Sequence, residues 1–378
     1  MKITNQQRTK FMRLFSKFIP HNKKMIVFES FLGRQYSDNP KALYEYIKEH
    51  YPDYICYWSI DPKYKDKFNG LDIQTVPRLS FKWYWVMLRS KYWISNSRLP
   101  LWIFKPKKTV YTQTWHGTPL KKLALDMENI KIAGTSPAVY KENFVKDARK
   151  WDYLISPNAY STEIFKRCFT FENTLIESGY PRNDYLINEN TSENIENIKK
   201  RLNIPKDKKI ILYAPTWRDK FSFDLPLSLT NMSKDLGDDY FIIVRLHYLV
   251  TQRPNLVGYE DFIKDVTDYN DISDLYLISD LLVTDYSSVF FDYAILKRPM
   301  FFHCYDLDLY KNELRGFYFD FENEAPGPIV RTSEELTQAI RASEDESVQV
   351  QYHDFYEQFA NLEKGISAKL VVEEILTK

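Results

Sequence analysis

The sequence predicts two α/β domains, each a parallel sheet with helices over both faces. Three observations point there. Hydrophobic strand-like runs alternate with helix-like stretches from Lys24 onward, the rhythm a parallel sheet requires because each strand must be followed by a crossover. The rhythm pauses over Asn188 to Lys208, rich in Asn, Glu and Lys and read as a solvated helix and linker, and restarts at Lys209. A chain of 378 residues is also too long for one ordinary core and suggests about two domains. The expected division is an arm over 1–23, a first domain over 24–205 and a second over 206–345.

The arm is basic, with Lys2, Arg8, Lys10, Arg13, Lys17 and Lys23 and no acidic residue. Phe11, Leu14, Phe15, Phe18 and Ile19 recur at helical spacing, and the basic residues fall largely on the other side. Such a helix can lie on an anionic membrane surface, and the same stripe would also suit packing on the protein's own core. Pro20 ends it in either case.

In the first domain, Met25 to Phe28 reads as a strand, Gly33 to Asn39 as a loop, Pro40 to His50 as a helix and Tyr54 to Trp58 as the next strand. Further strands are expected at Tyr92 to Ser95, Thr109 to Thr114 and Tyr153 to Ile155. Between them, Phe81 to Arg89 and Leu101 to Lys108 mix Trp with Lys and Arg, a composition that suits the lipid headgroup region. Core packing accounts for most of those rings, but Trp102 with Lys105, Lys107 and Lys108 favours a membrane contact. The second domain offers strands at Lys209 to Ala214, Phe241 to Leu246, Leu281 to Thr284 and Pro299 to Phe302, and a helix begins near Ser287. A final helix over Gly365 to Lys378 carries Ile366, Leu370, Val371 and Ile375 as its apolar stripe.

Composition excludes several classes. No run of about 18 apolar residues could span a bilayer, and the N-terminus lacks the pattern of a signal peptide, which predicts a cytoplasmic protein. Cys56, Cys168 and Cys304 have no paired spacing, so buried thiols are expected. There is no G-x-G-x-x-G, no phosphate loop, no H-E-x-x-H and no nucleophile elbow among only ten glycines. No metal ligand set is visible, no cofactor is implied, and no nucleic-acid motif accompanies the basic arm.

Chemistry concentrates just past predicted strands, where open parallel sheets bind ligands. In Gln113-Thr114-Trp115-His116-Gly117-Thr118-Pro119-Leu120-Lys121-Lys122 an imidazole follows a strand, a glycine allows a sharp turn, and Thr and Pro suggest a helix start. His116 is the expected general base. In the second domain Pro215-Thr216-Trp217-Arg218-Asp219, His247 and Asp285-Tyr286-Ser287-Ser288 occupy equivalent places, so four polar clusters imply a cleft. A helix starting near Ser287 would turn free amides toward an anion, and Arg218, Arg245 and Arg315 could bond a pyrophosphate.

These residues resemble the CDP-glycerol glycerophosphotransferases that prime and polymerise teichoic acids and related capsule polymers. The matching stretches are Gln113 to Lys121, Tyr213-Ala214-Pro215-Thr216-Trp217-Arg218, Ser279 to Ser288, and Arg315-Gly316-Phe317-Tyr318 followed by Pro326-Gly327-Pro328. The resemblance implies a GT-B-like fold, two Rossmann-like domains facing across a cleft, with the helices of 346–378 crossing back to the first. It also implies two functional histidines, at His116 and His247. Tyr248 departs from the family's pattern, which commonly has proline there.

The implied reaction moves glycerol phosphate from CDP-glycerol to a hydroxyl on a polyprenyl-diphosphate-linked acceptor and releases CMP. Thr216, Arg218, Arg245, Asp285, Ser287, Ser288, Asp292, Arg315 and Gly327 would bind the donor, and Gly117, Thr118 and Lys121 would form the acceptor loop. Arg8, Lys10, Arg13 and Lys17, with the segment around Trp102, would hold the enzyme peripherally on the cytoplasmic face of the membrane. A CDP-ribitol donor, a nucleotide-sugar glycosyltransferase of the same fold, and a non-catalytic polymer- or membrane-binding protein are the alternatives.

Overall fold

The structure, a computed structural model, describes residues 4–128, 136–216, 218, 224–247, 250, 252–308, 316–343 and 350–376. Its strands form two parallel sheets. The first contains β1 (Asn22–Glu29), β2 (Ile55–Ile60), β3 (Thr75–Pro77), β4 (Ser90–Ser95), β5 (Val110–Gln113), β6 (Tyr153–Ser156) and β7 (Thr174–Glu177), in the order β3-β2-β1-β4-β5-β6-β7. The second contains β8 (Lys209–Tyr213), β9 (Tyr240–Val244), β10 (Ile263–Asp265), β11 (Leu281–Thr284), β12 (Met300–His303) and β13 (Ile329–Val330), in the order β10-β9-β8-β11-β12-β13. Strand order reverses between β1 and β4 in one sheet and between β8 and β11 in the other, which creates a crevice at each carboxyl edge.

Alternating side chains cover both faces of each sheet. Ile26 and Phe28 join one core and Met25 and Val27 the opposite one, and in β8 Ile210 and Leu212 face away from Ile211 and Tyr213. This two-sided burial explains why the central strands read as continuous apolar runs. The edge strands β3, β10 and β13 run only two or three residues and carry too little pattern to be foreseen.

The arm folds into α1 (Asn5–Phe15), closed by a capping box between Thr4 and Gln7. Its basic side, not its apolar stripe, meets the protein: Arg8 lies over the Trp102 ring, Arg13 over Phe104, and the Thr9 hydroxyl donates to the Trp102 carbonyl. Met12 is buried, whereas Phe11 (46%), Leu14 (54%), Phe15 (43%) and Phe18 (78%) remain exposed. Of the stripe, Ile19 packs partly on the first domain's core, and the other four residues turn outward. The last residues of the expected arm, from Asn22, already belong to β1. Cys56, Cys168 and Cys304 are free and buried.

The remaining helices used below are α2 (Asp38–His50), α3 (Phe81–Arg89), α4 (Pro137–Ala148), α5 (Ala159–Phe169), α6 (Asp184–Asn188), α7 (Ser192–Leu202), α8 (Leu229–Leu236), α9 (Ile272–Ile278) and α10 (Val289–Tyr293). Leu186 of α6 and Ile198 of α7 pack in the second domain's core, so the chain crosses between domains near residue 182, before the domain boundary expected at 206. Phe355 and Phe359 still pack in that core, and the helix Ser367–Leu376 returns to the first sheet through Ala368, Val371, Val372 and Ile375. Ile366 (48%) and Leu370 (41%), expected in its apolar stripe, are exposed instead. The cause is the helix start, where the Ser367 and Ala368 amides donate to the Asp184 carboxylate at 2.8 and 2.7 Å and set the helix's rotation.

Candidate active site

His116 follows β5, next to the switch-point strand β4 of the first sheet. Its Nδ1 lies 2.8 Å from the Asn96 carbonyl at the end of β4. A carbonyl only accepts, so Nδ1 carries the proton and Nε2 keeps its lone pair. The Trp115 ring stacks on the imidazole at 4.7 Å and Phe31 meets it edge-on at 6.0 Å, while the residue as a whole is exposed to the cleft. Burial of the inner side lowers the imidazole pKa below its usual value; Asp38 and the Asn96 carbonyl oppose that shift and Arg182 adds to it. The ring is thus neutral near pH 7, with a free nitrogen available to take a proton.

The backbone around this ring is strained. Phe31, Leu32, Asp38 and Trp115 adopt φ values of 45°, 61°, 66° and 53°, a left-handed region that non-glycine residues rarely occupy. Such residues persist only where neighbours over-determine them. For Trp115 the neighbours are Asn39, whose side-chain amide donates to the Thr114 and Trp115 carbonyls at 3.2 and 3.3 Å, and Gln113, whose side chain accepts from the Trp115 amide at 3.0 Å.

No helix begins at Thr118-Pro119, contrary to expectation. Residues 120–122 are extended because their backbone groups are taken by the second domain: Tyr318 N donates to Leu120 O at 2.9 Å and Lys122 N to Gly316 O at 2.8 Å. Gly117 approaches the second domain closely: a Cβ there would lie 3.0 Å from Ser288 Oγ, so a side chain would make that hydroxyl move. Thr118 is buried in the same turn. His247, past the end of β9, is half-buried; burial lowers its pKa, and the charge of Lys121 from the opposite domain lowers it further. The structure therefore brings Gly117 to Ser288 and Lys121 toward His247 across the domain boundary.

Much of the remaining expected donor set bonds to other groups of the protein. The Arg218 guanidinium lies between Asp285 (2.7 Å) and Asp306 (2.7 and 3.1 Å), and the Thr216 amide donates to Asp285 at 2.8 Å, so these residues brace one another. Two carboxylates thus flank the Arg218 guanidinium. Arg245 donates to the Tyr269 carbonyl, and burial lowers its pKa. The Asp292 carboxylate accepts from Arg182 and Asn183. Gly327 packs against the Met300 carbonyl at the start of β12, the end away from the cleft, where any Cβ would clash. The helix expected near Ser287 is α10, only five residues long, and its N-cap Ser288 makes no side-chain cap bond; its dipole is correspondingly small. Ser287 and Ser288 are half-buried. Trp217, Asp219, Tyr248 and Arg315 lie outside the described residues.

Of the residues expected at the membrane, Lys10, Lys17, Lys107 and Lys108 are exposed, whereas Lys105 pairs with Asp152. Sequence reasoning missed Asn39 and Gly179-Tyr180-Pro181-Arg182-Asn183-Asp184, although a glycine, a proline and three polar residues just past a strand were a readable signal. It also missed His303, buried at the end of β12 near Tyr213; among the described residues neither its ring nitrogens nor the Tyr213 hydroxyl has a hydrogen-bond partner.

Two parallel-sheet domains, each with an imidazole just past a strand end, make a two-domain fold of the GT-B-like type. The chain belongs to the CDP-glycerol:poly(glycerophosphate) glycerophosphotransferase family, whose model matches residues 11–377. It is 52% identical to the teichoic acid poly(glycerol phosphate) polymerase of Bacillus subtilis over 99% of this chain and 51% of that protein, so it spans about half of that relative's length. It is 51% identical to the polymerase of the same name from Bacillus spizizenii over 99% of both, and 48% identical to the teichoic acid glycerol-phosphate transferase of Staphylococcus aureus over 94% of this chain and 93% of that one. The solved wall teichoic acid polymerase TagF superposes with a TM-score of 0.92 at 43% identity, covering 99% of this chain and 93% of that chain. A UDP complex of S. aureus MnaA, at 14% identity and a TM-score of 0.54, shares the fold alone.

Proposed function

We propose that this chain transfers glycerol phosphate from CDP-glycerol to a hydroxyl of a lipid-linked teichoic acid precursor and releases CMP. His116 Nε2 takes the hydroxyl proton as the oxygen attacks the glycerol-bearing phosphorus. The pyrophosphate P–O bond breaks, and the electron pair leaves with CMP. Negative charge then grows beside His247, which still donates an N–H when neutral, near the Lys121 ammonium and the amides at Ser287 and Ser288. The observation that carries this reading is the imidazole held by Asn96 through Nδ1, with its other nitrogen free at the cleft.

The outward apolar stripe of α1, with Lys10, Lys17, Lys107 and Lys108 exposed nearby, supports peripheral attachment to an anionic bilayer, from which a prenyl-anchored acceptor would reach the cleft. Phe81 and Trp85 of α3 are exposed as well. Among the described residues no helix is long and apolar enough to cross a membrane.

Incubating the chain with CDP-glycerol or CDP-ribitol and a lipid-disaccharide acceptor, with product length read by mass spectrometry, tests the reaction. CMP release and glycerol phosphate addition are expected; ribitol phosphate addition alone would replace the donor, and sugar transfer with UDP release would replace the reaction class. His116→Ala should lower transfer about 10²- to 10⁴-fold while CDP-glycerol still binds. Near wild-type turnover in that variant would remove the base.

A further inference from the structure

Behind His116 lies a buried ionic seam that spans both domains. Arg182 sits where the chain crosses between them, and its guanidinium donates to Asp38 of α2 at 2.8 Å and to both oxygens of Asp292 of α10 at 3.0 and 2.8 Å, with the Tyr180 ring 4.6 Å from its centre. Lys41 of α2 adds a second link, 2.8 Å from Asp271 at the N-cap of α9. The first turn of α2 is thus tied to two elements of the second domain.

The same turn holds the catalytic loop. Asn39 is fully buried; its Oδ1 accepts from the Arg182 amide at 3.1 Å and its Nδ2 donates to the Thr114 and Trp115 carbonyls. A continuous chain of bonds therefore runs from α10 through Asp292, Arg182 and Asn39 to the two residues before His116. Both first-domain ends of it are strained, at Asp38 and at Trp115. Buried ion pairs are weak evidence for stability, since desolvation offsets most of their attraction. Strain gathered around one imidazole is instead what a positioning device needs.

Resting on the reading of His116 as the base, we propose that Asn39 and Arg182 are positioning residues that couple the seating of the second domain to the orientation of the His116 ring. The base is in line for the acceptor hydroxyl only when α10 is seated on α2. Domain closure and base alignment become one event, and an open cleft holds a misaligned base.

The test uses Asn39→Ala, Asp292→Asn, their combination and Asp38→Asn in the full chain. Asn39→Ala should lower kcat about 10- to 100-fold per folded molecule, with the CDP-glycerol dissociation constant unchanged. Asp292→Asn, in the other domain, should lower kcat in the same way, and the double variant should be no worse than the worse single one, because both cut one linkage. The charged groups facing His116 are Asp38 from α2 and Arg182 from the crossover, while Asn96, Trp115 and Phe31 present a carbonyl and uncharged rings. Asp38→Asn removes a charge that holds the imidazole's pKa up, so the acid limb of kcat should move to lower pH. If Asn39→Ala does not fold, the two isosteric Asp→Asn variants decide. Wild-type kcat per folded molecule in the seam variants, with His116→Ala inactive, overturns the coupling and leaves the base in place. Full activity of His116→Ala removes the base itself. Strictly additive effects of Asn39→Ala and Asp292→Asn also overturn the coupling.

Discussion

Arg182 and Arg218 make nearly the same cluster and do different jobs. Each guanidinium lies between two aspartates and over a tyrosine, Arg182 with Asp38, Asp292 and Tyr180, and Arg218 with Asp285, Asp306 and Tyr286. The carboxylates of Arg218 follow β11 and β12, so this cluster braces the strand ends of one domain. Those of Arg182 come from α2 and α10, so it fastens one domain to the other. Identical ion chemistry acts as a brace or as a joint according to which elements carry the charges.

The largest test of that contrast removes each cation. Arg182→Ala and Arg218→Ala each strand two carboxylates in a buried setting and should cost about 3–5 kcal/mol. Calorimetry should show Arg182→Ala unfolding in two separated steps, because each domain has its own core and loses its fastening. Arg218→Ala should lower the second domain's transition alone. Identical thermograms would erase the distinction between joint and brace.

A smaller effect sharpens the joint. Glu363 stands where the chain crosses back, and its Oε1 accepts from the Tyr180 amide at 3.0 Å and from Asn183 Nδ2 at 2.9 Å. Burial pushes its carboxyl from 4.5 up to about 8. Between those values the folded protein keeps a proton that the unfolded chain has released, so stability falls as pH rises through the window, by at most about 1.4 kcal/mol per unit. Glu363→Gln retains the accepting oxygen and should flatten that slope in chemical denaturation followed across the window. A slope as steep as in the parent would assign the pH dependence to other groups.

The smallest expected effect lies outside both clusters. Leu14→Ser with Phe18→Ser should weaken sedimentation with anionic vesicles by about 1–2 kcal/mol per side chain and leave turnover of a soluble acceptor unchanged. Unaltered sedimentation would detach the arm from the membrane.

The central strands and His116 were legible because both depend on near neighbours in the chain, a run of β-forming residues and an imidazole just past it. Lys121 was legible as part of that loop, but its place beside His247 was not. The helix expected at Pro119 failed for a related reason: local propensity favoured it, and backbone pairing with Gly316 and Tyr318 of the other domain prevailed. The ion pairs of Arg218 were not legible, because composition shows a cation and not the carboxylates beside it. The outward turn of the α1 stripe followed from Trp102 and Phe104, which attract its arginines.

By itself the sequence determined two parallel-sheet domains, a basic amphipathic arm and a histidine at one strand end, since periodicity and strand-end position are properties of adjacent residues. Tertiary structure alone decided which carboxylates hold which arginine and what holds the base. Coulomb attraction and hydrogen bonds depend on distance in space, and Asn39 meets Arg182 across 143 residues of chain.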